Sequence, residues 1–139
     1  MHQTMFVNLP IENVDASREF FTSLGYNFDE DFCDANALCL ELNDSTFAML
    51  LQRDFFASFA DRPVGDAKAD TQHLLALGVS TREGVDDLVD KAVAAGGKDV
   101  RTDDSDFMYS RSYADLDGHV WELMWMNTDN MGDGGSEEA

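Results

Sequence analysis

The residues best equipped for chemistry lie late in the chain, in DLDGHVWELMWM, residues 115–126. Read as a turn followed by a strand, this stretch sends His119, Trp121, Leu123 and Trp125 to one side and Val120, Glu122, Met124 and Met126 to the other. Glu122 then stands among apolar neighbours, where an unpaired charge is costly, so it must be neutral, paired or bound to something. The other candidate donors are scattered. His2 sits near the terminus, His73 opens an apolar run, and His119 alternates away from Glu122. Cys33 and Cys39 have neither CxxC spacing nor enough company for a disulfide framework, and they read as reduced thiols.

The elements that must position these residues follow from hydrophobic period and punctuation. MFVNL (5–9) reads as a strand and NVDASREFFTSLG (13–25) as a helix, with Asn13 or Asp15 as N-cap and Gly25 as the stop. ALCLEL (37–42) and TFAMLL (46–51) read as strands around a turn at Asn43-Asp44-Ser45. A second pass begins at HLLALGV (73–79). It continues through STREGVDDLVDKAVAAGG (80–97), where Ser80 and Glu83 have capping-box spacing and Gly96 ends the helix. FMYSRSYA (107–114) and HVWELMWM (119–126) close it as a hairpin.

The two passes overlay at one offset: Val14 and Val85, Asp15 and Asp86, Gly25 and Gly96, and Asp44 and Asp115 are each 71 apart. This points to a duplicated unit of strand, helix and three strands. One domain over 1–126 is expected, made of modules at about 4–52 and 71–126, with a short helix and exposed linker between them at 53–70. The acidic, Gly-rich segment 127–139 reads as a disordered tail.

Three stretches carry a family resemblance. NVDASREFFTSLGY, HLLALGV and above all DLDGHVWEL, which is similar to a D-P-D-G-x-x-x-E ending, resemble the vicinal oxygen chelate superfamily of glyoxalase, bleomycin-resistance and extradiol dioxygenase proteins. The resemblance covers about residues 4–126. It implies an α+β fold of two tandem βαβββ modules, with curled mixed sheets around a shared cavity, in a homodimer. In metal-dependent members, four side chains converge, one from the first and one from the last strand of each module. Glu122 matches the fourth position. The others fall on Phe6, on Leu50 or Leu51, and on Leu74, none of which binds metal. His73 lies one residue early for the third position, and a one-residue shift turns a strand side chain to the opposite face unless a bulge restores it.

The hairpin turn decides what surrounds Glu122. Leu116 and Asp117 suit a type I turn with Gly118 left-handed after it, a connection that sets Glu122 opposite Ser112. A two-residue Asp117-Gly118 turn would instead bring Arg111 and Tyr113 beside it. With the first register, Phe6, Asn8, Leu50, Gln52, Gln72, Leu74, Met108, Ser110, Ser112, Glu122 and Met124 are expected to line a mostly apolar pocket. Glu122 is there a base, a hydrogen-bond acceptor for ligand, or a structural carboxylate.

Composition narrows the partners. A formal charge of −19, from 9 basic and 28 acidic residues, argues against nucleic acid and anionic membranes, both of which need basic patches. Only three lysines stand beside the excess of aspartate, a bias shared by proteins of salt-rich cytoplasm and by ordinary acidic surfaces. No apolar run is long enough to span a bilayer, and a cytoplasmic location is expected. The expected function is binding of a small, partly apolar molecule with no cofactor and an incomplete divalent-metal site. The alternative is a metal-dependent glyoxalase-like lyase, isomerase or dioxygenase using Glu122, with metal completed by His73 or Gln52.

Overall fold

The structure is a computed structural model that describes residues 1–127. The expected tail lies outside these residues, apart from Asn127. The chain divides after Asp70 into two compact units, each built on its own mixed sheet.

In the first unit, strand β1 (Met5–Ile11) leads to helix α1 (Val14–Ser23). The Asn13 side chain accepts the Ala16 amide, which satisfies an otherwise orphaned donor, and the chain leaves the helix at Gly25 with φ +97°. Ser17, Phe20, Phe21 and Leu24 recur at helical spacing and are buried beneath the helix. A single 3₁₀ turn (Glu30–Phe32) precedes β2 (Ala37–Glu41) and β3 (Thr46–Gln52), and the short helix α2 (Arg53–Ala57) follows. The sheet order is β1-β3-β2, with β1 parallel and β2 antiparallel to β3. The third strand expected after α1 is reduced to isolated bridges at Phe28–Leu40 and Asp34–Ala37.

The second unit runs β4 (Leu74–Gly78), α3 (Arg82–Ala94), β5 (Lys98–Asp104), β6 (Met108–Ala114) and β7 (Val120–Met126), in the sheet order β4-β7-β6-β5. Thr81, not Ser80, caps α3 by accepting the Gly84 amide. Val85, Val89 and Ala92 form the buried stripe, and the helix packs on β6 and β7, whose covered face carries Tyr113, Trp121 and Leu123. The sequence reading places no strand at β5. Its residues KDVRTDD are nearly all exposed, so no apolar alternation marks them.

The hairpin turn forms in its expected three-residue shape. Gly118 has φ +90° and its amide donates to the Asp115 carbonyl at 3.1 Å, while the Asp115 amide donates to the His119 carbonyl at 2.9 Å. Ser112 pairs with Glu122 and Ser110 with Met124, which excludes the alternative register that would seat Arg111 beside Glu122. The two sheets together make the expected α+β, βαβββ-type architecture, although each remains open rather than closed.

Candidate functional site

Register determines what each open sheet face presents. In the second unit, one row crosses four strands as Ala76, Glu122, Ser112 and Arg101, and the next as Gly78, Met124, Ser110 and Asp103. Ser110 and Ser112 are each 4% exposed, and no hydrogen bond of their hydroxyls forms among the described residues. Glu122 is half-buried beside them. Arg101 stands two strands away, about 10 Å by strand spacing. Its Nε donates to Asp103 at 2.7 Å. That bond does most to raise the guanidinium pKa, and the charge of Glu122 adds to it. The face is therefore a polar strip with two carboxylates, Glu122 and Asp103, two serine hydroxyls and the Arg101 cation.

Arg101 and Asp103 escaped the sequence reading because they ride on the unrecognised β5. The available signal was the repeat itself, which asks for a third strand after the helix. Met108, Met124 and Leu74 do share this open face, Leu74 well exposed; Gln72 lies exposed ahead of β4.

On the opposite side sits a network the sequence reading passed over. The buried Asp115 carboxylate accepts the amides of Asp117 and His119 at 2.9 and 3.0 Å and the Trp121 indole N–H at 2.9 Å. Burial pushes the Asp115 pKa up, against the opposing pull of His119 and Trp121. The His73 ring stacks on His119 with centroids 5.9 Å apart. The β4 register is regular from Leu74 to Gly78, so no bulge turns His73 toward Glu122. This arrangement braces the turn and strand entry.

In the first unit the open face carries Phe6, Asn8, Phe47, Met49 and Leu51, which pair across β1 and β3, with Cys39 and Ala37 from β2. Phe6 stacks on Phe47 at 5.2 Å. A cavity of ≈ 400 Å³ opens on this face, walled by the 3₁₀ turn on one side and by Phe55 and Phe59 on the other. Phe6, Leu50 and Gln52, all expected in the pocket, do not line this cavity. Leu50 is 0% exposed and points to the helix-covered face with Leu9 and Ala48, because strand alternation sends only Leu51 to the cavity. The repeat offset had indicated Leu51, since 122 minus 71 is 51. The Gln52 side-chain oxygen instead accepts the Asp54 and Phe55 amides and caps α2.

Within the second unit, the sheet neighbours of Glu122 offer no ligand set for a divalent cation. Its row neighbours are Ala76 and Ser112, and its strand neighbours on this face are Val120 and Met124. Of the donors expected to complete a site, His73 stacks on His119 and the Gln52 side-chain oxygen caps α2. No group of three or more His, Cys, Asp or Glu side chains able to hold a metal forms among the described residues.

Residues 3–43 match the family model described as bleomycin resistance protein-like N-terminal. Among solved structures, a hypothetical protein from S. aureus is 26% identical, with 90% of this chain and 95% of that chain covered at a TM-score of 0.75. A glyoxalase-related enzyme from Fulvimarina pelagi is 23% identical over 90% and 88% of the two chains, with a TM-score of 0.76. A genomically encoded fosfomycin resistance protein from Listeria monocytogenes is 13% identical over 93% and 97%, with a TM-score of 0.65. No curated protein matches in sequence. The architecture is the glyoxalase/bleomycin resistance/dioxygenase fold. Residues 3–43 thus resemble the N-terminal part of bleomycin resistance-like proteins, and the fold is the one shared by these structures. No helix among the described residues is long and apolar enough to cross a membrane.

Proposed function

We propose that this protein binds a small, partly apolar molecule, without a metal held by its own side chains, in the manner of the bleomycin-resistance branch of the vicinal oxygen chelate superfamily. The observation that carries this reading is the ≈ 400 Å³ cavity on the first open face, with Met49, Leu51 and Ala37 in its lining and Asn8 as a polar group. Its size and mixture of many apolar groups with few polar ones are those of small-molecule sites. Ser110, Ser112 and Glu122 supply a second surface, polar and without internal partners for its hydroxyls, on which ligand hydrogen bonds can form. Sequestration is then the activity, exercised by a cytoplasmic homodimer. The exposed Met5, Phe6, Leu74 and Met126 are apolar surface that a second copy would cover.

The test is ligand-observed NMR with a set of aromatic and aliphatic fragments. Met49→Trp, which fills the cavity from a half-buried position, is expected to abolish the hits seen with the native chain. Equal hits for native and variant protein would refute the reading.

A further inference from the structure

The first-unit cavity combines aromatic surface with negative charge in a way its role as a pocket does not require. Phe55 and Phe59 meet edge to face, with centroids 5.1 Å apart, and Phe32 lines the opposite wall from the 3₁₀ turn. Phe59 is 71% exposed and Phe32 62%, so much of their ring surface is left for another partner. Asp31 and Asp34 flank Phe32 in the lining.

The cations that could neutralise these aspartates are engaged elsewhere. Arg18 is bound to Glu30 through two hydrogen bonds of 2.7 and 3.1 Å, and Arg53 donates to the carbonyls of Val64 and Gly65. Asp34 accepts only the Asn36 amide, and the Asp31 carboxylate has no hydrogen bond or ion pair among the described residues. No Lys or Arg lines the cavity. A formal charge of −19 adds a field that gathers cations and repels anions.

We propose that this cavity selects hydrophobic monocations, meaning protonated or quaternary amines that carry an aromatic or branched apolar group. The proposal rests on the reading of the cavity as the ligand site and names the class of ligand it prefers. The apolar part of such a ligand lies on Met49 and Leu51. Its cationic centre meets the ring faces, whose quadrupoles attract cations, and the two carboxylates at the rim. A neutral molecule of the same shape gains only the first contribution. An anion is repelled.

Calorimetric titration with three matched probes tests this: benzyltrimethylammonium, its neutral isostere neopentylbenzene, and phenylacetate. The cation is expected to bind about tenfold more tightly than the neutral probe, as one cation–π contact with partial desolvation implies. Phenylacetate is expected not to bind. In the Asp31→Asn/Asp34→Asn variant the preference for the cation shrinks severalfold while neopentylbenzene binds as before. Phe59→Ala weakens the cation more than the neutral probe. Glu19→Gln/Glu83→Gln, which removes the same charge at exposed helix positions, leaves the preference in place. Equal affinity for cation and neutral isostere overturns the ligand class but keeps the cavity as a site. Failure of all three probes, with fragment hits that ignore Met49→Trp, overturns both.

Discussion

The two units each run strand, helix and then further strands, yet their uncovered sheet faces carry different chemistry. In the first, the stacked Phe6 and Phe47 share a face with Asn8, Met49 and Leu51, and the last three line a cavity. In the second, the same side of the sheet bears Glu122, two buried serines and the Arg101–Asp103 pair. At the repeat offset Leu51 stands where Glu122 stands, and Leu50 where Trp121 does, and each pair points the same way from its sheet. What the side chain is differs. The covered faces are apolar in both units because packing under a helix demands it. The open faces are under no such demand, and they differ.

The sharpest way to break this comparison is to truncate adjacent leucines that it assigns to opposite faces. Leu50→Ala removes a side chain closed in on every side and is expected to destabilise the protein by about 2–5 kcal/mol. Leu51→Ala is expected to cost less, because the space it vacates joins an existing cavity. Denaturant unfolding of the two variants checks this, and equal losses would contradict the face assignment.

Asp115 comes next. Replacing it with Ala strands three donors, the amides of Asp117 and His119 and the Trp121 indole, at a cost of about 3 kcal/mol. Thermal melting measures it. If Asp115→Ala melts like the native chain, the network does not brace the turn.

Protonation separates the carboxylates of the second unit. Hydrogen bonds from Tyr109 first, and then Arg111, hold the Asp86 pKa below its ordinary 3.8. Its folded value is depressed, so its contribution is present above about pH 4 and is lost as pH falls through the folded pKa. Asp115, with its value raised by burial, has the reverse sign: it favours the folded state most below the unfolded pKa, and that contribution fades as pH rises through the folded one. Asp86→Asn is therefore expected to lower stability at neutral pH and to converge with the native chain in acid, as followed by unfolding across that range. A constant difference at every pH would contradict the assignment.

Smallest is the effect expected at Glu122. Half-buried and without a required structural partner, it should tolerate Glu122→Gln with a change within about 0.5 kcal/mol. Protein stripped with chelator and protein loaded with divalent metal should melt at the same temperature, since a metal bound only in the folded state would raise it. A raised melting temperature that disappears in Glu122→Gln would restore the metal reading.

Much of the second unit was legible because its punctuation is strong. Leu116-Asp117-Gly118 specifies one turn, that turn specifies one register, and the register sets Glu122 opposite Ser112 with His119 alternating away. β5 was illegible for a physical reason: KDVRTDD buries almost nothing and carries no period. Arg101 was lost with it. In the first unit the direction of β1 could be read, but the apolar run Ala48-Met49-Leu50-Leu51 has no alternation to mark its faces. Only the repeat offset distinguished Leu51 from Leu50. The cavity walls were harder still, because Phe32 and Phe59 come from a 3₁₀ turn and from the turn just past a short helix, where no sequence period indicates which way a ring points.

The most direct test of the central claim is a backbone-amide NMR titration with benzyltrimethylammonium. Saturable shifts are expected to cluster at Asn8, Phe32, Met49, Leu51 and Phe59 and to vanish in Met49→Trp. Shifts that saturate elsewhere, or that persist unchanged in that variant, would contradict the claim that the first open face is the ligand site.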